Sequence, residues 1–221
     1  GLFVCAPTGD KPLDCPAVLS TIAWSRHGQT TYALEGSIFV GGSALQWCRD
    51  ALGLISDVQQ TASLAQSLSS NEGVYFVPAL TGLGAPFWNA DARGSWSGLT
   101  RATTKAHLIR SVLESLAYQT KAVCDRIQAV LPPCQQLMVD GGATANTFLM
   151  QFQADCLGVP VVVPQITEST AFGAAGIAGI AAGVFDEATF RSFLTIQHRY
   201  EPGELQDDCS RWYEVWYALL Q

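Results

Sequence analysis

The stretch Leu137-Met138-Val139-Asp140-Gly141-Gly142-Ala143-Thr144-Ala145-Asn146 decides how the rest of the chain is read. Its apolar opening reads as a short buried strand, ended by two glycines. Ala145-Asn146 then opens a helix, because Phe148, Leu149, Phe152 and Cys156 recur at helical spacing. A strand, a Gly-Gly turn and a helix start converge backbone N–H groups on one spot. Glycine lets a ligand approach the main chain, and the helix dipole favours polar or anionic groups there. Gly-Gly after a strand is also an ordinary turn, so the flanking elements have to decide between the two readings.

Downstream of this stretch, Val161 to Val163 reads as a strand, Thr170 to Gly183 as a helix, and Trp212, Val215, Trp216 and Leu219 as one face of a C-terminal helix that docks on the core. The apolar run Ala171 to Phe185 is too short for a membrane span and reads as a packed helix. Upstream, a long helix runs from Thr104 to Val130 and stops at Pro132-Pro133. Residues 78–100 form an irregular loop rich in Gly, Pro and Trp, read as a structural crossing or as the wall of a cleft. Val74 to Val77 is a short strand. A helix starts at Gly42-Ser43 with Leu45, Cys48, Leu52 and Ile55 on its apolar face, and Ser56-Asp57 caps a second helix to Leu68. Three runs, 2–6, 18–24 and 31–34, joined by turns at 7–10 and 26–29, predict an antiparallel meander. Three strands followed by alternating helices and strands give an α/β, ribonuclease-H-like layout, a mixed sheet with helices on both faces.

Composition narrows the function classes. With 48% hydrophobic and 14% charged residues the chain is not disordered. At 221 residues it can bury about 70% of its unfolded surface and needs no staples. A net charge of −7 argues against a nucleic-acid partner and against a basic phosphate patch. The seven cysteines are odd in number and lack a Cys-x-x-Cys pair, so they read as buried thiols of a reducing, cytoplasmic compartment. The three histidines have no metal-ligand spacing. No signal peptide is visible, and the chain starts at Gly1 inside a strand, as a fragment would.

Several motifs are collinear with one family. They are Tyr32-Ala33-Leu34-Glu35-Gly36-Ser37, Gly82-Leu83-Gly84-Ala85-Pro86-Phe87-Trp88, Ala92-Arg93-Gly94, Leu113-Glu114-Ser115 with Tyr118-Gln119-Thr120, Val139-Asp140-Gly141-Gly142, Leu149 to Asp155, and Thr170 to Ala175. The spacing Gly94-x-Trp96-x-Gly98-Leu99, with His107-Leu108 and Ser111-Val112-Leu113-Glu114 downstream, is similar to the second signature of the FGGY carbohydrate kinases. Over nearly its whole length the chain resembles the C-terminal half of that family, and within it the glycerol kinases.

The resemblance implies an actin- and hexokinase-like fold, with residues 1–221 as the nucleotide-binding domain and an N-terminal substrate domain outside the chain. It implies ATP and Mg²⁺ as cofactors, glycerol as substrate, and pairing into a homo-oligomer through C-terminal domains. Carried over by motif, Gly42, Gln46, Gly142 and Asn146 bind nucleotide and Phe3 packs against glycerol. Backbone N–H groups at two helix starts, with amides from Gln46 and Asn146, suit a nucleotide site without a P-loop. Gln46 also reads as a surface residue, Asn146 as a helix cap and Phe3 as a core strand residue. The family's catalytic aspartate belongs to the other domain, so Asp140 is not assigned that role. The chain alone is expected to be inactive. The alternatives are a xylulokinase-like sugar kinase and a non-catalytic nucleotide-binding module.

Overall fold

A computed structural model describes residues 1–220. Its strands form three hydrogen-bonded groups. The first contains β1 (Leu2–Gly9), β2 (Leu19–Arg26) and β3 (Gln29–Ile38), all antiparallel. The order is β1-β3-β2, so β3 is central and the expected meander is corrected. Only β2 and β3 form a hairpin, through His27 and Gly28, which have φ of 52° and 76°. The connection 10–18 carries the chain past β3 instead of turning β2 directly onto β1. Strand β1 also continues through the expected turn at 7–10, with a register shift between Pro7 and Gly9.

Helix α1 (Ser43–Asp50) and helix α2 (Gln60–Gln66) follow. Leu45 and Cys48 of α1 are buried, but the helix ends before Leu52, which is exposed. Strand β4 (Tyr75–Val77) pairs with β5 (Ser95–Ser97), a strand inside the loop read as irregular. The Gly94-x-Trp96-x-Gly98 stretch serves packing here. The Trp96 indole N–H donates to Ser111 Oγ at 3.1 Å, and its ring packs 4.6 Å from that of Phe76. A Cβ at Gly98 would lie 1.9 Å from Gly73 O, and one at Gly84 would lie 2.2 Å from Ser37 O. Both glycines are therefore required by close backbone approach.

Helix α3 (Lys105–Gln128) is the central beam. Thr104 and His107 form a capping box at its start. It is buried on most of its circumference, which requires its polar residues to pair with one another. Arg110 Nε donates to Glu114 Oε1 at 2.7 Å, and Asn71 Nδ2 donates to Glu114 Oε2 at 2.8 Å. Burial pushes the Glu114 carboxyl upward, against the pull of Arg110. On the other side, β3 approaches so closely that a Cβ at Gly36 would meet Val123 Cγ1 at 2.2 Å.

The last group holds β6 (Leu137–Met138), β7 (Val161–Pro164) and β8 (Ile196–Tyr200). β6 and β7 are parallel, joined through α4 (Thr147–Leu157), and β8 adds antiparallel, so the pairing is mixed. Helix α7 (Gln206–Ala218) closes the core. Trp216 is fully buried and donates to Phe76 O at 2.8 Å, whereas Val215 and Leu219 face outward.

Helix α5 (Ser169–Ala181) departs from the packed helix expected. Only Gly176 is buried. One stripe packs on α6 (Glu187–Ser192) and the turn before it, where Gly176 makes room for the ring of Phe190 on α6 and Gly179 for that of Phe185 in the turn. The opposite face is open, with Ile177 66% and the following Val184 73% exposed. No helix among the described residues is long and apolar enough to cross a membrane. Five cysteines are buried, and all seven are free thiols.

Candidate functional site

Two helix starts carry the residues singled out from the sequence. At the first, β3 leads through Val40, Gly41 and Gly42 into α1. The N–H groups of Leu45 and Gln46 close the first turn on Gly42 O. Gly41 is tightly packed, since a Cβ there would lie 2.7 Å from Leu2 Cγ. Gly42 is different. Its φ of −55° suits any residue, and a Cβ there would meet nothing within 4 Å. The fold therefore does not require glycine at Gly42.

At the second start, β6 ends at Met138 and the chain turns through Gly141, with φ of 82°. Gly141 N donates to Thr167 O at 2.9 Å, which ties the turn to the segment before α5. A 3₁₀ turn, Gly142–Ala145, then precedes α4, so the α-helix opens two residues later than the periodicity places it. Gly142 is exposed, lies outside the positive-φ region, and has open space where a Cβ would stand. Gly141 is a conformational glycine, whereas Gly142 has no conformational or packing reason to be one.

Asn146 is the N-cap of α4. Its Oδ1 accepts from Leu149 N at 2.9 Å, and its Nδ2 donates to Thr61 Oγ1 at 2.9 Å. The helix-cap reading thus holds for its carbonyl oxygen. The amide also fastens the α4 start to α2 through the fully buried Thr61, a tie that no sequence spacing reveals. Gln46 lies on the exposed side of α1, and its amide has no partner among the described residues. Phe3 is 67% exposed on β1, opposite Ser37, so it is not a core residue. Its neighbour Leu2 packs on Gly41, and alternation along β1 turns the Phe3 ring to the opposite face of the strand.

The arrangement offers main-chain N–H groups, two approachable glycines and one free amide. It offers little charge. Among the described residues no group of three or more His, Cys, Asp or Glu side chains is placed to hold a metal ion.

Residues 1–182 match the model of the FGGY family of carbohydrate kinases, C-terminal domain. The chain is 49% identical to a glycerol kinase of Dechloromonas aromatica over 227 aligned residues, covering 100% of this chain and 45% of that one. It is 48% identical to a glycerol kinase of Bacillus subtilis, with the same coverage of each. Thus the chain spans less than half the length of these curated relatives. A crystal structure of Plasmodium falciparum glycerol kinase with ADP superposes with a TM-score of 0.89 at 28% identity, over 99% of this chain and 44% of that one. A xylulose kinase from Lactobacillus acidophilus shares the fold, with a TM-score of 0.84 at 23% identity, over 98% of this chain and 44% of that one. The chain belongs to the FGGY family of carbohydrate kinases, as a C-terminal domain of that family.

Proposed function

We propose that this chain is the ATP-binding half of a glycerol kinase, which moves the γ-phosphoryl group of ATP to glycerol and yields sn-glycerol 3-phosphate. The observation that carries this reading is the pair Gly42 and Gly142. Each opens a helical turn, and neither is required to be glycine by backbone angle or by packing. A ligand lying against the main chain supplies the missing reason. Gln46 offers its free amide to the base or ribose. Asn146 orders the α4 start and presents the remaining capacity of its amide. Phe3 offers an apolar face to the carbon side of the acceptor.

The relatives' names favour glycerol. The curated relatives at 48–49% identity are glycerol kinases, and among the solved structures a glycerol kinase stands at 28% beside xylulose kinases at 22–26%. Mg²⁺ would reach this chain on the nucleotide phosphates, since nucleotide-bound Mg²⁺ keeps several waters and takes its other ligands from the phosphates and at most one or two carboxylates. This chain's own task is to bind and orient ATP. Accepting the glycerol proton falls to the half of the protein that lies outside it, so the domain alone is inactive.

That other half also accounts for the open apolar surface. Ile177 and Val184 on and after α5, and Phe3 on β1, are side chains that a second domain would cover. The nucleotide domain extends past residue 182 through α7, because β8 completes the last sheet and Trp216 sits in the core. Pairing of two copies through this domain and a cytoplasmic setting, in keeping with five buried thiols, complete the reading.

The test is phosphorylation by the full-length protein that carries this chain, with ATP and a panel of glycerol, D-xylulose and gluconate. Glycerol is expected to lead by at least about tenfold in kcat/KM, equivalent to ~1.4 kcal/mol of transition-state discrimination. Preference for the pentulose overturns the substrate. Nucleotide binding without transfer to any of the three identifies a non-catalytic module.

A further inference from the structure

A cavity of about 240 Å³ lies between α2, α3, α4 and the segment leading into α7; it shares α4 with the nucleotide reading, but none of Gly42, Gln46, Gly142 and Asn146 lines it. Its apolar wall is Leu68, Phe148, Phe152 and Leu205. Two charged residues also line it, and both are almost fully buried: Arg110 at 1% and Asp155 at 3% exposure.

Each of the two has a polar atom left over. Arg110 Nε serves Glu114, and Nη1 serves the carbonyls of Ala65 and Leu68. Among the described residues Nη2 has no partner. Asp155 Oδ1 accepts from Gln151 Nε2 at 2.9 Å and from Gly203 N at 2.6 Å. Oδ2 accepts from no described residue, and the two side chains form no ion pair with each other. The cavity thus has an unused donor on a cation, an unused acceptor on an anion, and apolar walls. Neither atom is sealed from solvent, the one buried unpartnered side-chain nitrogen or oxygen among the described residues being His107 Nε2, so a ligand that enters the cavity can engage both in charge-assisted hydrogen bonds. The Phe148 ring lies 5.2 Å from the Arg110 guanidinium carbon and fixes its orientation.

We propose that this cavity binds a small zwitterion with an aliphatic body, of the α-amino acid class. Its carboxylate accepts from Arg110 Nη2, its ammonium donates to Asp155 Oδ2, and its side chain packs on Phe148, Phe152, Leu68 and Leu205. The volume is just under the roughly 300–1,000 Å³ of drug-sized pockets and several times the ~30 Å³ that one water occupies. A metabolite of amino-acid size is the matching occupant.

The test is calorimetry on the full-length protein with three probes of similar shape. They are L-leucine, 4-methylpentanoate, which lacks the ammonium, and 3-methylbutylamine, which lacks the carboxylate. Saturable binding of L-leucine is expected, with each half-charged analogue at least about tenfold weaker. Asp155→Asn keeps Oδ1 as acceptor and is expected to lose at least tenfold as well. Leu205→Trp fills the cavity from its rim and is expected to abolish binding. No binding of L-leucine to the wild type means that the cavity holds water only and overturns the proposal. Equal binding of all three probes overturns the zwitterion, and unchanged binding by both variants overturns the location. The analogue comparison needs no variant, so it decides even if Asp155→Asn fails to fold.

Discussion

Replacing Gly142 with alanine should move stability and nucleotide affinity in opposite directions. The turn Gly142–Ala145 is 3₁₀, Gly142 lies outside the positive-φ region, and an added Cβ meets nothing within 4 Å. Under those conditions Gly→Ala stabilises by about 0.4–1 kcal/mol, through the unfolded chain's lost freedom. For a domain of this size that is a rise in Tm of roughly 1–4 °C. The same methyl group occupies the space through which a nucleotide reaches the main chain. Losing one charge-assisted hydrogen bond costs about 1.5–3 kcal/mol, which is roughly 10- to 150-fold in Kd. Differential scanning fluorimetry without ligand and calorimetry with Mg·ADP read the two effects on the same preparations of the full-length protein. A higher Tm with an unchanged Kd would show that the nucleotide does not approach Gly142. A lower Tm would show that Gly142 is structural, which removes the main support for the site.

Two further predictions concern the charged groups. Arg110→Met leaves the buried Glu114 without its cation and should cost about 3–5 kcal/mol in urea unfolding. Adding Glu114→Gln to that variant should recover part of the loss, and a loss under about 1 kcal/mol for Arg110→Met alone would contradict the buried pair. At the α6 start, the bond from Thr189 holds the Asp186 carboxyl below its usual range, and Arg191 with Arg26 does the same for Glu187. Both groups are lowered in the folded state. Their contribution is therefore present above the usual carboxylate range and is lost as pH falls through the folded values. The Thr189 amide resonance should titrate with a midpoint below the ~3.9 of a free aspartate, and a midpoint at or above it removes this cap.

Much of the fold is legible in the residues, for identifiable reasons. Helix α3 shows because Ile109, Val112, Leu113, Leu116 and Val123 repeat at helical spacing behind a Thr104 cap. The 137–146 stretch shows because glycines end a strand just where a helical period begins. What stays hidden lacks a period. Strand β5 is three residues inside a loop, α6 is six residues long, and β8 is exposed along most of its length, so no alternation marks it. The order β1-β3-β2 stays hidden because pairing partners are set by tertiary packing of β3 on α3, not by sequence adjacency. Helix α5 reads as core because every turn is apolar, yet its uncovered face is visible only when its neighbours are in place. For the candidate site, the glycines are legible as glycines but their reasons are not. Gly98 and Gly84 prove to be packing requirements, whereas Gly42 and Gly142 are free of any. The tie from Asn146 to Thr61 crosses from α4 to α2 and leaves no sequence signal.

The most direct test of the central claim is a crystal structure of the full-length protein with Mg·ADP. The nucleotide is predicted to lie against the main chain at Gly42 and Gly142, with the amides of Gln46 and Asn146 within hydrogen-bond distance of it. Nucleotide density elsewhere on the domain, with Gly42 and Gly142 left open to solvent, would contradict the account.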